Sequence, residues 1–181
     1  MKTICFTGHR PDKLGSYDWN TPKNQRIMEK LKEQIEQEII HNNVKTFIFG
    51  VALGIDQMAF EIVKKIQEYS RYGHDIKMIL AIPFEKQASK WFNKNDIDRY
   101  NAQKEWADEV IYVDTVDGYE FKGVAVGEYH PAKMMIRNKF MVNNSDKIIA
   151  VWNGSKGGTA NAVNYAKKIG KEIIVINPDE I

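Results

Sequence analysis

Cysteine is nearly absent from this sequence, since Cys5 is the single one among 181 residues. An intrachain disulfide is therefore excluded, and a reducing compartment is expected. Cys5 lies in an apolar run, which favours a small buried side chain over a reactive thiol. No apolar run is long enough to cross a bilayer, and the N-terminal apolar stretch is too short for a signal peptide. These absences predict a cytoplasmic protein that has no membrane partner.

Net charge is also scarce, because charged residues make up 28% of the chain but leave a formal charge of only +2. A dedicated nucleic-acid binder usually carries a strongly basic domain, so the composition disfavours that class but leaves a local basic patch open. The four histidines show no metal-ligand spacing to one another, and CxxC and HxxxH motifs are lacking. No metal site and no required cofactor are therefore expected.

Hydrophobic residues make up 43% of the sequence. This is enough for the core of one domain spanning residues 1–181. Short β-branched runs alternate with longer helical patterns. Several runs are apolar at nearly every position, as expected of strands that helices cover on both faces. The predicted strands are Thr3–Thr7, Thr46–Phe49, Ile76–Ile82, Val110–Val113, Lys147–Trp152 and Glu172–Ile176.

The helical patterns complete the fold prediction. Ile27, Leu31, Ile35 and Ile39 form one apolar stripe at four-residue steps, and further helices are predicted over 55–66, 87–107, 132–143 and 159–169. Strand-helix alternation of this kind predicts an α/β, Rossmann-like, doubly wound and mostly parallel sheet with helices on both faces. Residues 114–130 stand out as a long irregular stretch, either a lid over a ligand or an ordinary surface excursion.

Unusual residues follow the first two strands. Gly8 permits close backbone approach, and His9 and Arg10 add polar groups where a turn needs none, so a phosphate contact is favoured over a solvated turn. The second strand leads into Gly50–Asp56, where two glycines, Gly50 and Gly54, precede a helix whose N-terminus favours an anion. Asp56 either complements that helix end or accepts a hydrogen bond from a ribose hydroxyl, and both interpretations stay open.

The segment after the fifth strand, Trp152–Thr159, carries the strongest local signal. Its glycines, hydroxyls and lysine predict a backbone nest able to wrap a phosphate, although the spacing fits neither a Walker A loop nor a GxGxxG fingerprint. The candidate ligand contacts in this segment are Asn153, Gly157, Gly158 and Thr159.

The helix before that strand offers two further candidates, Arg137 and Asn138, which point either into the same crevice or to solvent. The apolar side chains of this helix are interpreted as core, namely Met134, Met135, Phe140 and Met141. Trp91, Phe92 and Tyr100 are suited to stacking on a base, but packing is the commoner fate of helical aromatics. Because the carboxyl ends of parallel strands share one edge of a sheet, we expect a phosphate between the glycine loops near residues 50 and 157. Loops opening on opposite ends of the molecule would contradict this.

Four motifs in order resemble the SLOG superfamily, which unites the Smf/DprA Rossmann domain, the "lonely guy" phosphoribohydrolases and the YpsA-like proteins. The YpsA-like branch is the most similar. The resemblance covers essentially the whole chain and rests on the motifs FTGHRP (6–11), GVALGID (50–56), RN (137–138) with MV (141–142) and SD (145–146), and GGT (157–159).

The resemblance implies a Rossmann-like fold whose glycine-rich loops bind a nucleotide or nucleotide-derived ligand, and it is compatible with a homodimer. The phosphoribohydrolases have a PGGxGTxxE motif and an arginine on the preceding helix. Here Arg137 matches that arginine, the one catalytic candidate if the chain is an enzyme, but Ala162 stands at the position of the glutamate. A carboxylate that transfers a proton typically contributes about 10²–10⁴-fold to a rate. Without a replacement, such as Glu128 from the long loop, phosphoribohydrolase activity is therefore expected to be poor.

Three functions remain in view after the resemblance. A YpsA-like module that binds or senses a nucleotide-type ligand is favoured, because the glycines and Arg137 are present. An enzyme acting on a nucleotide N-glycosidic bond is disfavoured by Ala162. A single-stranded DNA binder like Smf/DprA is disfavoured by the near-neutral charge, because phosphate contacts dominate affinity for DNA.

Overall fold

Six strands form one sheet in the computed structural model, which describes residues 2–181. The strands are β1 (Lys2–Gly8), β2 (Val44–Phe49), β3 (Lys77–Ile82), β4 (Glu109–Tyr112), β5 (Lys147–Val151) and β6 (Glu172–Ile176). Every pair of neighbouring strands is parallel, and the order across the sheet is β4-β3-β2-β1-β5-β6. This arrangement confirms the predicted parallel α/β sheet, with each strand within two residues of its predicted bounds.

The helices follow the predicted alternation with strands. Thr21 caps the longest helix, accepting a hydrogen bond from the backbone N–H of Asn24, and Pro22 occupies its first position, where no N–H partner is needed. The helices are α1 (Pro11–Leu14), α2 (Pro22–Asn42), α3 (Ile55–Tyr69), α4 (Lys94–Trp106), α5 (Pro131–Asn143) and α6 (Gly158–Lys168).

The prediction of one continuous helix over 87–107 is wrong. A short 3₁₀ turn (Gln87–Lys90) ends at Trp91, whose backbone is extended, and α4 begins only at Lys94. Asn93 causes the fresh start, because its side chain accepts a hydrogen bond from the backbone N–H of Asn95 at 2.8 Å and so caps a new helix. The break places Trp91 in a connecting segment instead of on a helical face.

Alternate residues of the central strand face two separate cores. Ile4 and Phe6 pack with α2 and α3, and the Phe6 ring stacks on that of Phe49 with 5.1 Å between centroids. Cys5 lies in the other core, which Phe140 of α5 and residues of α6 help to form. Helices therefore cover both faces of the sheet, as predicted, and strands buried on both faces read as continuous apolar runs.

The chain changes direction across the sheet between β1 and β5. From β1 it winds through β2, β3 and β4 toward one edge, and then returns past β1 to build β5 and β6 on the other side. The loops after β1 and β5 consequently diverge to opposite faces at their carboxyl ends. In an open parallel sheet this switch point is where a crevice forms and ligands bind.

A buried ion pair holds the irregular segment over 114–130 in place. Lys133 Nζ lies 2.8 Å from a carboxylate oxygen of Asp114, and both side chains are almost fully buried. The same ammonium donates to the backbone oxygens of Ala125 and Glu128, while the backbone N–H of Gly127 donates to Asp114. Charged groups with this many partners hold the segment in one conformation.

Candidate functional site

A cavity of about 220 Å³ opens at the carboxyl ends of β1 and β5, at the switch point of the sheet. We call it the main cavity. The turn after β1, the start of α3, one face of α5 and the loop that leads into α6 supply its walls. Ala52 and Asp56 from the loop near residue 50 line the same cavity as Gly157 and Gly158. The two glycine loops therefore open on the same side of the molecule, as predicted.

The turn after β1 is pressed against α3. A Cβ atom on Gly8 would lie 2.4 Å from Cβ of Ile55, closer than real side chains approach. The backbone N–H of His9 donates to Val151, at 3.1 Å, and the His9 carbonyl accepts from the N–H of Ile55. These bonds join β1, β5 and α3, so the wall of the cavity is set by the backbone and not by mobile side chains.

Two glycines of the Gly50–Asp56 loop are also required by close packing. A Cβ atom on Gly50 would lie 1.6 Å from Nη1 of Arg137 and 2.6 Å from a carboxylate oxygen of Asp56. Gly54 has a φ of +96°, and its Cβ would lie 2.6 Å from the carbonyl oxygen of His9. Both positions need a residue without a side chain, one for space and the other also for its backbone conformation.

Arg137 and Asp56 form a buried ion pair on the floor of the main cavity. Nη1 of Arg137 lies 3.7 Å from Oδ2 of Asp56, and Nε of Arg137 donates to the side-chain oxygen of Asn138 at 3.0 Å. Nη1 is buried and has no hydrogen-bond partner among residues 2–181. The pair thus leaves a buried guanidinium donor unused beside Gly50, and such a donor is costly to bury without a partner.

Burial shifts both members of this pair toward their neutral forms. It raises the pKa of Asp56 above the ordinary value of a carboxyl group, while Arg137, a backbone hydrogen bond from Ala52 and Arg10 oppose the rise. Burial likewise lowers the pKa of Arg137, against the attraction of Asp56. Each charge is desolvated and depends on the other, so loss of either partner would leave an uncompensated buried charge.

The loop before α6 has open space around its glycines, unlike the closely packed Gly50–Asp56 loop. A Cβ atom on Gly154 or Gly158 would meet nothing within 4 Å, and one on Gly157 would meet only the flexible end of Lys13. Gly158 is the first residue of α6, and Thr159 follows it, so the unpaired N–H groups of the first helical turn face the main cavity. This end of a helix attracts an anion.

Asn153 braces that loop from behind. Its side-chain oxygen lies 2.7 Å from Nε2 of His9 and accepts from the backbone N–H of Ser155, and its amide nitrogen donates to Asp179. Asp179 also pairs with Lys23 at 2.9 Å. These contacts orient His9, which is buried, and connect the loop to α2 and to the segment after β6.

The charge lining the cavity favours an anion. Among the described residues that line it, four are cationic and two are carboxylates, namely Arg10, Lys13, Arg137 and Lys156 against Asp12 and Asp56. Lys13 donates to the hydroxyl of Ser155 and to the carbonyl of Lys156, so it also holds the loop in place. Arg10 is exposed, and its guanidinium has no partner within residues 2–181.

The structure brings together most of the residues chosen from the sequence. Gly50, Gly54 and Asn153 lie behind the cavity and shape it instead of lining it. Those that line the cavity are Gly8, His9, Arg10, Asp56, Arg137, Asn138, Gly157, Gly158 and Thr159.

Several residues that line the main cavity were not predicted from the sequence. Asp12 and Lys13 directly follow the Arg10-Pro11 turn, a proximity that could have indicated them. Met134 is half-buried and lines the cavity, so its assignment to the core is wrong, whereas Phe140 and Met141 are core residues. Thr7 and Ala52 also line the cavity without having been chosen, and so do Ser155 and Lys156, whose segment was predicted as a phosphate nest but which were not named as ligand contacts.

Other candidate chemistry is located away from the main cavity. Ala162 is buried in α6 and does not line it, and Glu128 pairs with Lys86 at the surface. Cys5 is fully buried, and burial raises the pKa of its thiol to about 12. Among residues 2–181, no group of three or more histidine, cysteine or acidic side chains is arranged to hold a metal ion, and no helix is long and apolar enough to span a membrane.

The fold and the cavity define the class: a Rossmann-like α/β domain with a polar crevice at the switch point of its sheet. The family model YpsA, the YspA SLOG family, matches residues 4–181, and the chain belongs to this family. It is 39% identical over 160 residues to the SPbeta prophage-derived protein YoqJ of Bacillus subtilis, with 87% of this chain and 91% of YoqJ covered. The predicted SLOG membership is confirmed.

Solved structures of DNA processing protein A (DprA) share the fold. The chain matches DprA of Streptococcus pneumoniae with a TM-score of 0.62 and 17% identity, over 98% of this chain and 50% of that one. It matches DprA of Helicobacter pylori with a TM-score of 0.56 and 16% identity, over 97% and 65% of the two chains. The chain thus spans about half the length of the first DprA, and these likenesses concern the fold.

Proposed function

We propose that this protein is a binding or sensing module for a phosphate-bearing nucleotide or nucleotide-derived ligand, which occupies the main cavity. The observation that carries the proposal is the open N-terminus of α6, which faces a cavity lined by an excess of cationic side chains at the switch point. Membership of the YpsA family and the DprA-like fold are consistent with a module of nucleotide or DNA biochemistry.

The phosphate lies against Gly157, Gly158 and Thr159 in this proposal. Free backbone N–H groups and the positive end of the helix dipole stabilise an anion there, by about 0.3–1 kcal/mol for the dipole at an exposed site. Arg10 lines the same cavity and has no other partner within the described chain. A charge-assisted hydrogen bond from its guanidinium contributes about 1.5–3 kcal/mol.

Arg137 takes part through the part of its side chain that lines the cavity. Its charge is balanced by Asp56, and its Nη1, buried against Gly50, has no hydrogen-bond partner. A ligand oxygen on the floor of the cavity accepts from the guanidinium, while the Asp56 carboxylate accepts from a ligand hydroxyl. Between the two interpretations of Asp56 that the sequence left open, its place in the cavity wall favours the ligand contact.

Binding without turnover is favoured because neither Ala162 nor Glu128 supplies the carboxylate of the phosphoribohydrolase motif to the cavity. Ala162 offers no acid or base, and Glu128 is held by Lys86 on the surface. Asp12 and Asp56 are the two carboxylates in the cavity wall, and Asp56 is engaged with Arg137. Cleavage of an N-glycosidic bond relies on a positioned carboxylate for much of its rate.

Single-stranded DNA is a second candidate ligand. The DprA of Helicobacter pylori has a single-stranded DNA binding mode. In this chain Phe92 is 99% exposed and stands between Lys90 and Lys94 in sequence, and aromatic side chains flanked by cations suit base stacking. The low net charge argues against it. DNA binding would weaken steeply with added salt, because phosphate contacts release counterions.

Thermal unfolding with a panel of nucleoside mono-, di- and triphosphates and inorganic phosphate tests the proposal. A bound member at 100 times its Kd should stabilise the protein by about 2.7 kcal/mol. Gly158→Leu should abolish this stabilisation and leave the unliganded fold intact, because Gly158 has open space around it. Asn161→Leu is the matched control: it adds the same side chain to an exposed position of α6 outside the cavity and should keep the stabilisation.

The proposal fails if no member of the panel stabilises the wild type, or if both leucine variants respond as the wild type does. Incubating each stabilising nucleotide with the protein and analysing it by chromatography tests turnover. Release of a free base would favour the enzyme and overturn binding without cleavage.

A further inference from the structure

A second cavity adjoins the main one. It has a volume of about 360 Å³ and shares Arg10 and Met134 with the main cavity. We call it the side cavity. Its remaining walls come from the 3₁₀ turn after β3 and from the end of the irregular segment, including Gln87, Lys90, Trp91 and Tyr129. Two cavities that share Arg10 allow one elongated ligand to occupy both.

Two aromatic side chains of the side cavity are held in place by other rings. Trp91 packs edge to face on buried Tyr100, with 5.3 Å between centroids. Tyr129 packs edge to face on buried Phe84 at 5.5 Å. Nζ of the exposed Lys90 lies 3.8 Å from the centre of the Tyr129 ring, so a base that stacks on that face displaces the flexible ammonium. Rings fixed in this way lose little freedom when a flat ligand stacks on them, which favours binding.

The Gln87 side chain in the wall of the side cavity has one polar atom without a hydrogen-bond partner. Gln87 is buried, and its amide nitrogen donates to the carbonyl of Gly50 at 3.2 Å, whereas Oε1 has no hydrogen-bond partner within residues 2–181. An unsatisfied buried acceptor is costly. A planar group with N–H donors on its edge would satisfy it. Stacking surfaces together with an edge acceptor are the recognition chemistry of a nucleobase.

We propose that the side cavity binds the nucleobase of the ligand whose phosphate lies in the main cavity, with Tyr129 and Trp91 as stacking partners and Arg10 at the junction. This inference rests on the proposed function and adds to it that the ligand must carry a base. The base belongs either to a free nucleotide or to a strand of single-stranded DNA, since both join a base to a phosphate.

Calorimetric titration of the full chain tests the inference with ribose 5-phosphate, AMP, CMP and a ten-residue oligothymidylate. At least one base-bearing probe should bind ten or more times more tightly than ribose 5-phosphate. Tyr129→Ala should weaken that probe about tenfold, the equivalent of one stacked base, and leave ribose 5-phosphate unchanged. Tyr129→Phe should stay within about twofold of the wild type, because the ring remains.

Tyr129→Leu covers the case in which the alanine variant loosens the segment, because leucine keeps an apolar contact with Phe84 but removes the aromatic face. It should reproduce the alanine result. Tight binding of AMP or CMP supports a free nucleotide, and tight binding of the oligothymidylate alone supports a DNA strand.

Two results would overturn the inference, and they are distinguishable. If ribose 5-phosphate binds as tightly as every base-bearing probe, or if Tyr129→Ala weakens all probes alike, the side cavity is not a base subsite and the phosphate site stands. If no probe binds and the wider nucleotide panel also fails, the proposed function falls as well.

Discussion

The two glycine loops at the edge of the sheet use the same residue for opposite purposes. In the loop near residue 50, Gly50 and Gly54 are glycines because Arg137, Asp56 and the backbone of His9 occupy the space of a side chain. In the loop before α6, a Cβ atom added to Gly158 would meet nothing within 4 Å. The loop near residue 50 is closely packed behind the main cavity, whereas the loop before α6 leaves open space beside the cavity.

This contrast shows that a glycine-rich turn beside a strand is not by itself a ligand contact. The packed loop builds the site indirectly, because it lets the buried ion pair of Arg137 and Asp56 reach the cavity floor. The open loop is the one that leaves backbone N–H groups facing the cavity. Substitutions in the two loops should therefore differ in kind, with stability lost in one and ligand binding lost in the other.

The largest expected effect is on Gly50. Gly50→Ala should lower the free energy of unfolding by about 3 kcal/mol, because the added methyl displaces a guanidinium that is buried against a carboxylate. Urea unfolding at pH 7, followed by circular dichroism, measures the loss. A midpoint equal to that of the wild type would mean that the loop is not packed as described.

The opposite loop should tolerate the same change. Gly158→Ala is expected to leave stability equal to that of the wild type or to raise it by about 0.5 kcal/mol, since alanine restricts the unfolded chain and suits a helix. The same urea experiment compares it directly with Gly50→Ala. A loss greater than about 1 kcal/mol, on the scale of ordinary destabilising substitutions, would show that the helix N-terminus is not open.

The smallest expected effect concerns Asp179, which contacts Asn153 and Lys23 behind the loop before α6. A hydrogen bond from Asn153 and the contact with Lys23 lower the pKa of Asp179 below its ordinary value. A lowered pKa in the folded state means that this stabilisation is fully present above the ordinary carboxyl value of about 3.9 and is lost as the pH falls through the lowered value. Asp179→Asn should therefore destabilise slightly at pH 5–8, and its difference from the wild type should shrink below about pH 4 and vanish once the pH is below the lowered pKa of Asp179.

Thermal unfolding of both proteins from pH 2.5 to 8 measures this difference. Glu29→Gln, which removes one carboxylate of α2 outside this contact, controls for the change in surface charge. A difference that does not change with pH would assign the effect of Asp179 to packing and not to its charge.

Local patterns predicted the elements because each pattern depends on neighbours in sequence. The stripe from Ile27 to Ile39 became α2, and the runs of apolar residues became strands buried on both faces. The prediction was wrong at residues 87–107, where the cap at Asn93 interrupts the helix. A single hydrogen bond from the backbone N–H of Asn95 to the Asn93 side chain outweighed a helical pattern there, and this kind of competition is local but easily overlooked.

The amino-acid order by itself determined the parallel α/β sheet and the turns at its carboxyl edge, because strand-helix alternation and turn chemistry are properties of short segments. Only the tertiary structure decided which glycines are packed and which are open, that Arg137 is bound to Asp56, and that Trp91 and Tyr129 share one cavity. These facts depend on residues far apart in the chain that meet through the order of strands, and no local period of the sequence encodes that meeting.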